Sequence, residues 1–284
     1  MKIRFGVQML LLLWLFVPAA TPWAADITLW DVAGKVEISL EQTAGELPSP
    51  GIVYVGESHD NEEHHAAQLA VIRSLNQRKR PLAVGLEMFQ HIEQSILDAW
   101  VARQLSEDEM RRAFARNWSG EWWYLYREIF IYCRDQNIPM VGLNVPRSIT
   151  RKVSRGGFAS LTTEEVGKLP FIECRVDPEY EGFLRRVMGG HGSDSGFRRF
   201  CEAQLVWDTA FAIYTLEYLA DHPERTVVVL CGIVHAWKKA APEQALRNKA
   251  DVAQTVIQPS VAGRWTPDSV SKEDADYLIL GLEE

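Results

Sequence analysis

Ile52-Val53-Tyr54-Val55-Gly56-Glu57-Ser58-His59 is the stretch that decides the fold of this chain. Four apolar residues run without alternation and then stop at a glycine and a group of titratable side chains. A strand covered by helices on both faces is apolar at every position, whereas a half-exposed strand alternates. Three further runs end the same way: Leu82 to Leu86 before Glu87, Met140 to Leu143 before Asn144, and Val227 to Cys231 before Gly232-Ile233-Val234-His235. The pattern predicts an α/β protein with a mostly parallel sheet flanked by helices. Ligands of such open sheets collect beyond the carboxyl ends of the strands, so Glu57, His59, Glu87 and His235 are expected to converge.

Outward from these runs the periodicity alternates between strand and helix. Ile27 to Leu40, with Ala33-Gly34 at its middle, reads as a short hairpin. Asp60, three residues before Glu63, reads as the capping box of a helix from about Asn61 to Lys79, and Ser106 with Glu109 as that of a helix from about Glu107 to Arg116. Further helices are expected at about Ile92 to Gln104, Glu121 to Gln136 and Phe197 to Ala220, and late strands at Val252 to Ile257 and Tyr277 to Gly281. Residues 146–196, with Gly189, Gly190, Gly192 and Gly196 around His191, read as a helical and loop insertion near the carboxyl edge of the sheet. No low-complexity linker divides the chain, and 26–284 is read as one domain.

Lys2 and Arg4, the uncharged stretch Phe5 to Val17 and the small residues up to Ala25 have the order of a secretory signal over residues 1–25. The expected product is exported, periplasmic or associated with the cell envelope, and the segment has no cysteine to serve as a lipobox. The formal net charge of −8 argues against nucleic acid as a partner, which favours a basic face. Cys133, Cys174, Cys201 and Cys231 form no Cys-x-x-Cys pair, which excludes zinc-ribbon sites and covalent haem attachment. One or two disulfides are compatible with export, although Cys133 and Cys231 lie in apolar periodic segments as small core residues do.

Gly56-Glu57-Ser58-His59 and Gly232-Ile233-Val234-His235 repeat one glycine-to-histidine spacing at two strand ends. Carboxylate and imidazole at such turns serve proton transfer or metal binding, against the plainer reading that they face water or satisfy buried hydrogen bonds. His64 and His65 lie early on the following helix, where adjacent residues do not share a face, so one of them could reach the site. Trp122, Tyr126, Ile129, Phe130 and Cys133 form a helical stripe that reads as core, or as the wall of a flat cofactor. Tyr180 and Arg185-Arg186 read as an axial oxygen and a carboxylate clamp, or as helix surface. His191 reads as a lid element or an exposed loop residue.

Gly56-Glu57-Ser58-His59-Asp60-Asn61 with His64-His65 and Gln68, Gly85-Leu86-Glu87-Met88-Phe89, Gly142-Leu143-Asn144-Val145-Pro146-Arg147, Ala203-Gln204-Leu205-Val206-Trp207-Asp208, and Cys231-Gly232-Ile233-Val234-His235 with Pro242 together resemble the ChaN-like haem-binding family. That family is grouped with Tiki proteases, TraB-type proteins and erythromycin esterases. The resemblance implies an exported protein of haem or iron uptake. It also implies non-covalent, b-type haem, a homodimer with haems between subunits, and outer-membrane uptake components as partners. It implies a tyrosine ligand, for which Tyr126 and Tyr180 are candidates, with His59, His64 and His235 as further cofactor-binding candidates. The chain departs from the family in having no lipobox cysteine and no glycine before Pro242.

The wider superfamily supplies a rival. There the Gly-x-x-His turns and the strand-end glutamate would form the active site of a hydrolase of esters or amides. His59 or His235 would act as base, and Glu57 and Glu87 as its partners or, with both histidines, as ligands of a divalent metal.

Overall fold

The computed structural model describes residues 27–188, 194–263 and 265–282. The signal read in residues 1–25 and the loop histidine His191 lie outside the described residues. In chain order the elements are β1 (Thr28–Asp31), β2 (Val36–Ser39), α1 (Leu40–Glu46), β3 (Gly51–Glu57), α2 (Glu62–Gln77), β4 (Leu82–Gln90), α3 (Gln94–Val101), α4 (Glu107–Asn117), α5 (Trp123–Asp135) and β5 (Met140–Asn144). There follow α6 (Arg147–Gly156), α7 (Thr163–Val166), α8 (Pro178–Met188), α9 (Asp194–Asp221), β6 (Thr226–Gly232), α10 (Ile233–Ala236), α11 (Ala241–Asn248), β7 (Gln254–Pro259) and β8 (Tyr277–Ile279).

The strands form one eight-stranded sheet in the order β2-β1-β8-β7-β3-β6-β4-β5. From β8 to β5 every pairing is parallel, while β1 runs antiparallel to β2 and to β8. β6 inserts between β3 and β4, so the end of a strand far along the chain comes to lie between those of two early ones. In that register Glu57 stands opposite Gly232, and Leu86 opposite Leu230. Adjacent strands are about 4.8 Å apart, so side chains leaving these three ends meet in one small volume.

Alternation of side chains across the pleat feeds two cores. Val53, Val55, Val228 and Leu230 pack with α2 to α5, among them Leu75, Trp100, Phe114 and Phe130. Ile52, Tyr54, Val227, Val229 and Cys231 pack under α6, α9 and α11, with Val153, Val206, Phe211 and Ala245. This explains the unbroken apolar runs. A third cluster, Tyr180, Phe183, Leu184, Phe197 and Trp237, joins α8 and the start of α9 to the segment after β6 and roofs the carboxyl edge.

Several sequence readings are corrected in detail. Helix α2 is capped by Asn61, whose side-chain oxygen accepts from the Glu63 and His64 amides at 2.9 and 3.1 Å, and not by an Asp60–Glu63 box. The Ser106–Glu109 box is formed. Glu87 does not terminate its strand: β4 continues to Gln90 through a register shift relative to β5 between Leu86 and Gln90. All four cysteines are free, three buried in the packed interior and Cys174 half-buried. Burial pushes the Cys174 thiol up to about 12 and the Cys201 thiol up to about 11, so neither is a thiolate at neutral pH.

Candidate functional site

β3 and the turn after it deliver Glu57 and His59, β4 delivers Glu87 and the turn after β6 delivers His235, and a second layer of polar side chains fixes them. Glu57, the last residue of β3, is 1% exposed, and its Oε1 accepts from the Tyr126 hydroxyl at 2.9 Å and lies 2.6 Å from His59 Nδ1. The His59 ring stands T-shaped to Trp118 and stacks on Trp122, with centroids 5.0 and 5.8 Å away. Glu87 Oε2 accepts from the Gly232 amide at 2.7 Å. Its Oε1 lies 3.9 Å from His59 Nε2 and 3.8 Å from His235 Nε2. His235, on the single turn α10, pairs through Nδ1 with Asp208 Oδ1 at 2.7 Å. Asp208 in turn receives the Tyr180 hydroxyl on its other oxygen. Glu87 thus stands between two carboxylate–imidazole pairs.

The two glycines of the Gly-x-x-His turns serve close approach. A Cβ on Gly232 would meet His59 Cε1 at 3.1 Å and Nε2 at 3.3 Å, and one on Gly56 would meet the Gln258 amide oxygen at 1.9 Å. Gln258 lies against Gly56 while donating to the Ile233 carbonyl at 3.0 Å, which holds the second turn on the first. Gly56 itself lies inside β3, where glycine answers a need for space rather than a turn.

The electrostatics differ between the two imidazoles. For His59, burial pulls the pKa down, but the Glu87 charge and the hydrogen bond and charge of Glu57 outweigh it and raise it to about 9. For His235, burial likewise pulls down, and Glu87 and Asp208 outweigh it, so the net shift is upward. Burial raises the Asp208 carboxyl against the opposing pull of His235 and Tyr180.

Glu57, His59, Glu87 and His235 all border one cleft of about 760 Å³ at the carboxyl edge. Ligand pockets usually fall between about 300 and 1,000 Å³. Trp118, Trp207, Phe200, Trp265, Ile233 and Val234 supply apolar wall, and Arg147 and Arg151 of α6 supply positive charge. These residues fit a flat, largely apolar ligand that carries acid groups: aromatic and aliphatic surface, imidazole nitrogen at the floor, cations at the side. Among the described residues no three His, Cys, Asp or Glu side chains are grouped as a metal cage. The expected four-residue metal set is engaged otherwise, with Glu57 Oε1 on Tyr126 and His59, and Glu87 Oε2 on a backbone amide.

Other sequence candidates stand elsewhere. The Tyr126 and Tyr180 hydroxyls are buried behind the site, bound to Glu57 and Asp208, and neither residue borders the cleft. His64 Nδ1 accepts from the Ser58 amide at 2.9 Å, and burial lowers its pKa, so it is a neutral brace of the turn. His65 braces the same turn, with Nε2 3.1 Å from the His59 carbonyl. Arg185 pairs with Glu181 and Asp194 and lies over Phe197, which leaves no clamp there. Sequence reasoning quoted Asp208, Asn144, Trp207 and Arg147 but gave them no role. Asn144 donates to the Glu87 carbonyl at 2.7 Å and accepts from Trp207 Nε1 at 3.0 Å, tying α9 to β4.

The described fold is similar to that of the Campylobacter jejuni ChaN, solved with cofacial haem, with a TM-score of 0.69 at 20% identity over 89% of this chain and 96% of that one. An erythromycin esterase, EreC, in its open conformation aligns less well, with a TM-score of 0.45 at 14% identity over 81% of this chain and 76% of that one. A curated relative, the Arabidopsis thaliana chloroplastic Protein RETICULATA-RELATED 5, is 25% identical over 120 residues, 40% of this chain and only 16% of that protein. Residues 43–244 match the family described as "Haem-binding uptake, Tiki superfamily, ChaN", and the chain belongs to that family.

Proposed function

We propose that this protein binds haem without a covalent bond in the strand-end cleft, as an exported, periplasmic or envelope-associated component of haem or iron uptake. The supporting observation is that a member of a haem-binding family holds, between aromatic walls, a cleft of about 760 Å³ with imidazole nitrogens at its floor. When bound, haem supplies an iron that takes nitrogen or oxygen ligands and a flat apolar ring with two carboxylates. His59 is the first candidate ligand. Its Nδ1 is held by Glu57, which turns Nε2 away from the anchor, and its side chain is 32% exposed. His235 Nε2 is the second, and Trp118 and Trp207 would cover the ring faces. Tyr126 keeps Glu57 in place and Tyr180 keeps Asp208, so both tyrosines act on the imidazoles from behind. A homodimer and outer-membrane partners, which the family resemblance implies, belong to the same proposal.

Titrating the mature protein with haemin tests this reading. A saturable Soret change that weakens in His59→Ala supports it, and a spectrum identical to that of free haemin refutes it. Sedimentation with and without haemin reads the dimer.

One observation favours a second reading, hydrolysis of an ester or amide. Two imidazoles, each held by a buried carboxylate, face one glutamate across less than 4 Å, which is how a general base and a general acid are oriented about a water molecule. His235, held by Asp208, would take the proton of water, and protonated His59 would donate to the leaving group. An ester-substrate screen in which activity survives both His59→Ala and His235→Ala excludes these roles.

A further inference from the structure

The two arginines on the cleft wall form a built feature that the imidazole floor does not use. Arg147 and Arg151 lie four residues apart on α6, so both side chains project from one face of that helix. Both border the cleft. Neither guanidinium has an ion-pair partner among the described residues, whereas Arg185, Arg127 and Arg247 each hold at least one carboxylate. The first turn of α6 has no acidic residue, although a helix start favours negative charge. Arg147 also lies over the Trp118 ring, 5.3 Å from its centroid, and the same indole meets the His59 ring edge-on at 5.0 Å. One tryptophan therefore spans from the titratable floor to the cationic wall.

We propose that Arg147 and Arg151 form a clamp for a dicarboxylate edge of the ligand, so that the cleft selects a flat molecule with its metal-seeking centre toward His59 and two acid groups toward α6. This rests on the haem reading and assigns the side of the site that takes the propionates. Guanidinium is suited to the task because its fork matches a carboxylate in two parallel hydrogen bonds, which lysine does not reproduce. The acidic groups bordering the floor, Glu57 and Glu87, oppose the inverted orientation by charge repulsion. The ligand is thereby oriented as well as held.

The test compares haemin with its dimethyl ester, by Soret titration, on the wild-type protein, Arg147→Ala/Arg151→Ala and Arg147→Lys/Arg151→Lys. Both arginines are exposed, so unchanged thermal melting is the control for folding. The wild type should prefer the diacid over the diester, and each arginine removed should weaken diacid binding about 5- to 10-fold while leaving the diester unaffected. The lysine pair should recover only part of the preference, and the Soret position of the bound diacid should be unchanged in every variant. A diacid preference that persists undiminished in the alanine pair overturns the clamp and leaves haem binding intact. Absence of a saturable change with either pigment on the wild type refutes haem binding, and the clamp with it.

Discussion

The two imidazoles flanking Glu87 are held by different means. His59 lies two residues from its carboxylate, on a turn, with its side chain 32% exposed. His235 is 8% exposed overall, and its carboxylate, Asp208, comes from the middle of α9 with Tyr180 of the insertion behind it. A local pair needs only one turn to form, so it can stay partly open to solvent and change protonation there. A long-range pair exists only when α8, α9 and β6 are packed together, so its geometry is part of the fold. One imidazole is suited to meet a ligand and the other to be rigidly placed.

Removing the anchor of the buried pair is the strongest way to break this contrast. Asp208→Ala leaves His235 and the Tyr180 hydroxyl without their partner in the interior, and urea denaturation should show a loss of about 3 kcal/mol. His59→Ala, at the more open position, should cost less than about 1 kcal/mol of stability while weakening haemin binding at least tenfold. Equal stability losses in the two variants would erase the distinction.

The pH dependence sharpens it further. His59 titrates near 9 in the folded chain against an ordinary 6.5, so its protonated form contributes stability that is complete below about 6.5 and lost as pH rises through about 9. Urea midpoints should fall across that window, and Glu57→Gln should flatten the fall, because it removes a hydrogen bond and a charge that hold the proton. Coordination through Nε2 requires the proton to leave, so haemin affinity should rise with pH up to about 9 and level off. The smallest expected effect is at the aromatic support: Trp122→Ala removes a ring stacked on His59 and should cost about 0.5 kcal/mol, with a small shift of the His59 titration read by NMR.

What the sequence disclosed follows the same division. The apolar runs predicted the parallel sheet because strands buried on both faces have no polar positions, and the runs stop where helix cover stops. Glu57, His59, Glu87 and His235 were legible for that reason. Asp208 was not, because its carboxylate lies among Leu205, Val206, Ala210 and Phe211 in a helix whose sequence gives no sign of which position faces an imidazole 27 residues on. Tyr126 and Tyr180 were read as candidate haem ligands, but the packing of α5 and α8 turns their hydroxyls onto Glu57 and Asp208 behind the cleft, a direction the sequence does not carry. Of the α6 arginines, Arg147 was quoted only within a motif and Arg151 not at all, because the cleft they border is formed by segments far from them in the chain.

Tyr180 belongs to the roof helix α8, and Asp208 to the wall behind His235. Any outward swing of that roof to admit a bulky guest must break the contact between them, and the imidazole would then feel a more strongly charged neighbour. Asp208 thus couples the packing of α8 to the imidazole on its other side: losing the Tyr180 hydroxyl, as in Tyr180→Phe, would leave His235 facing a carboxylate with one hydrogen bond fewer.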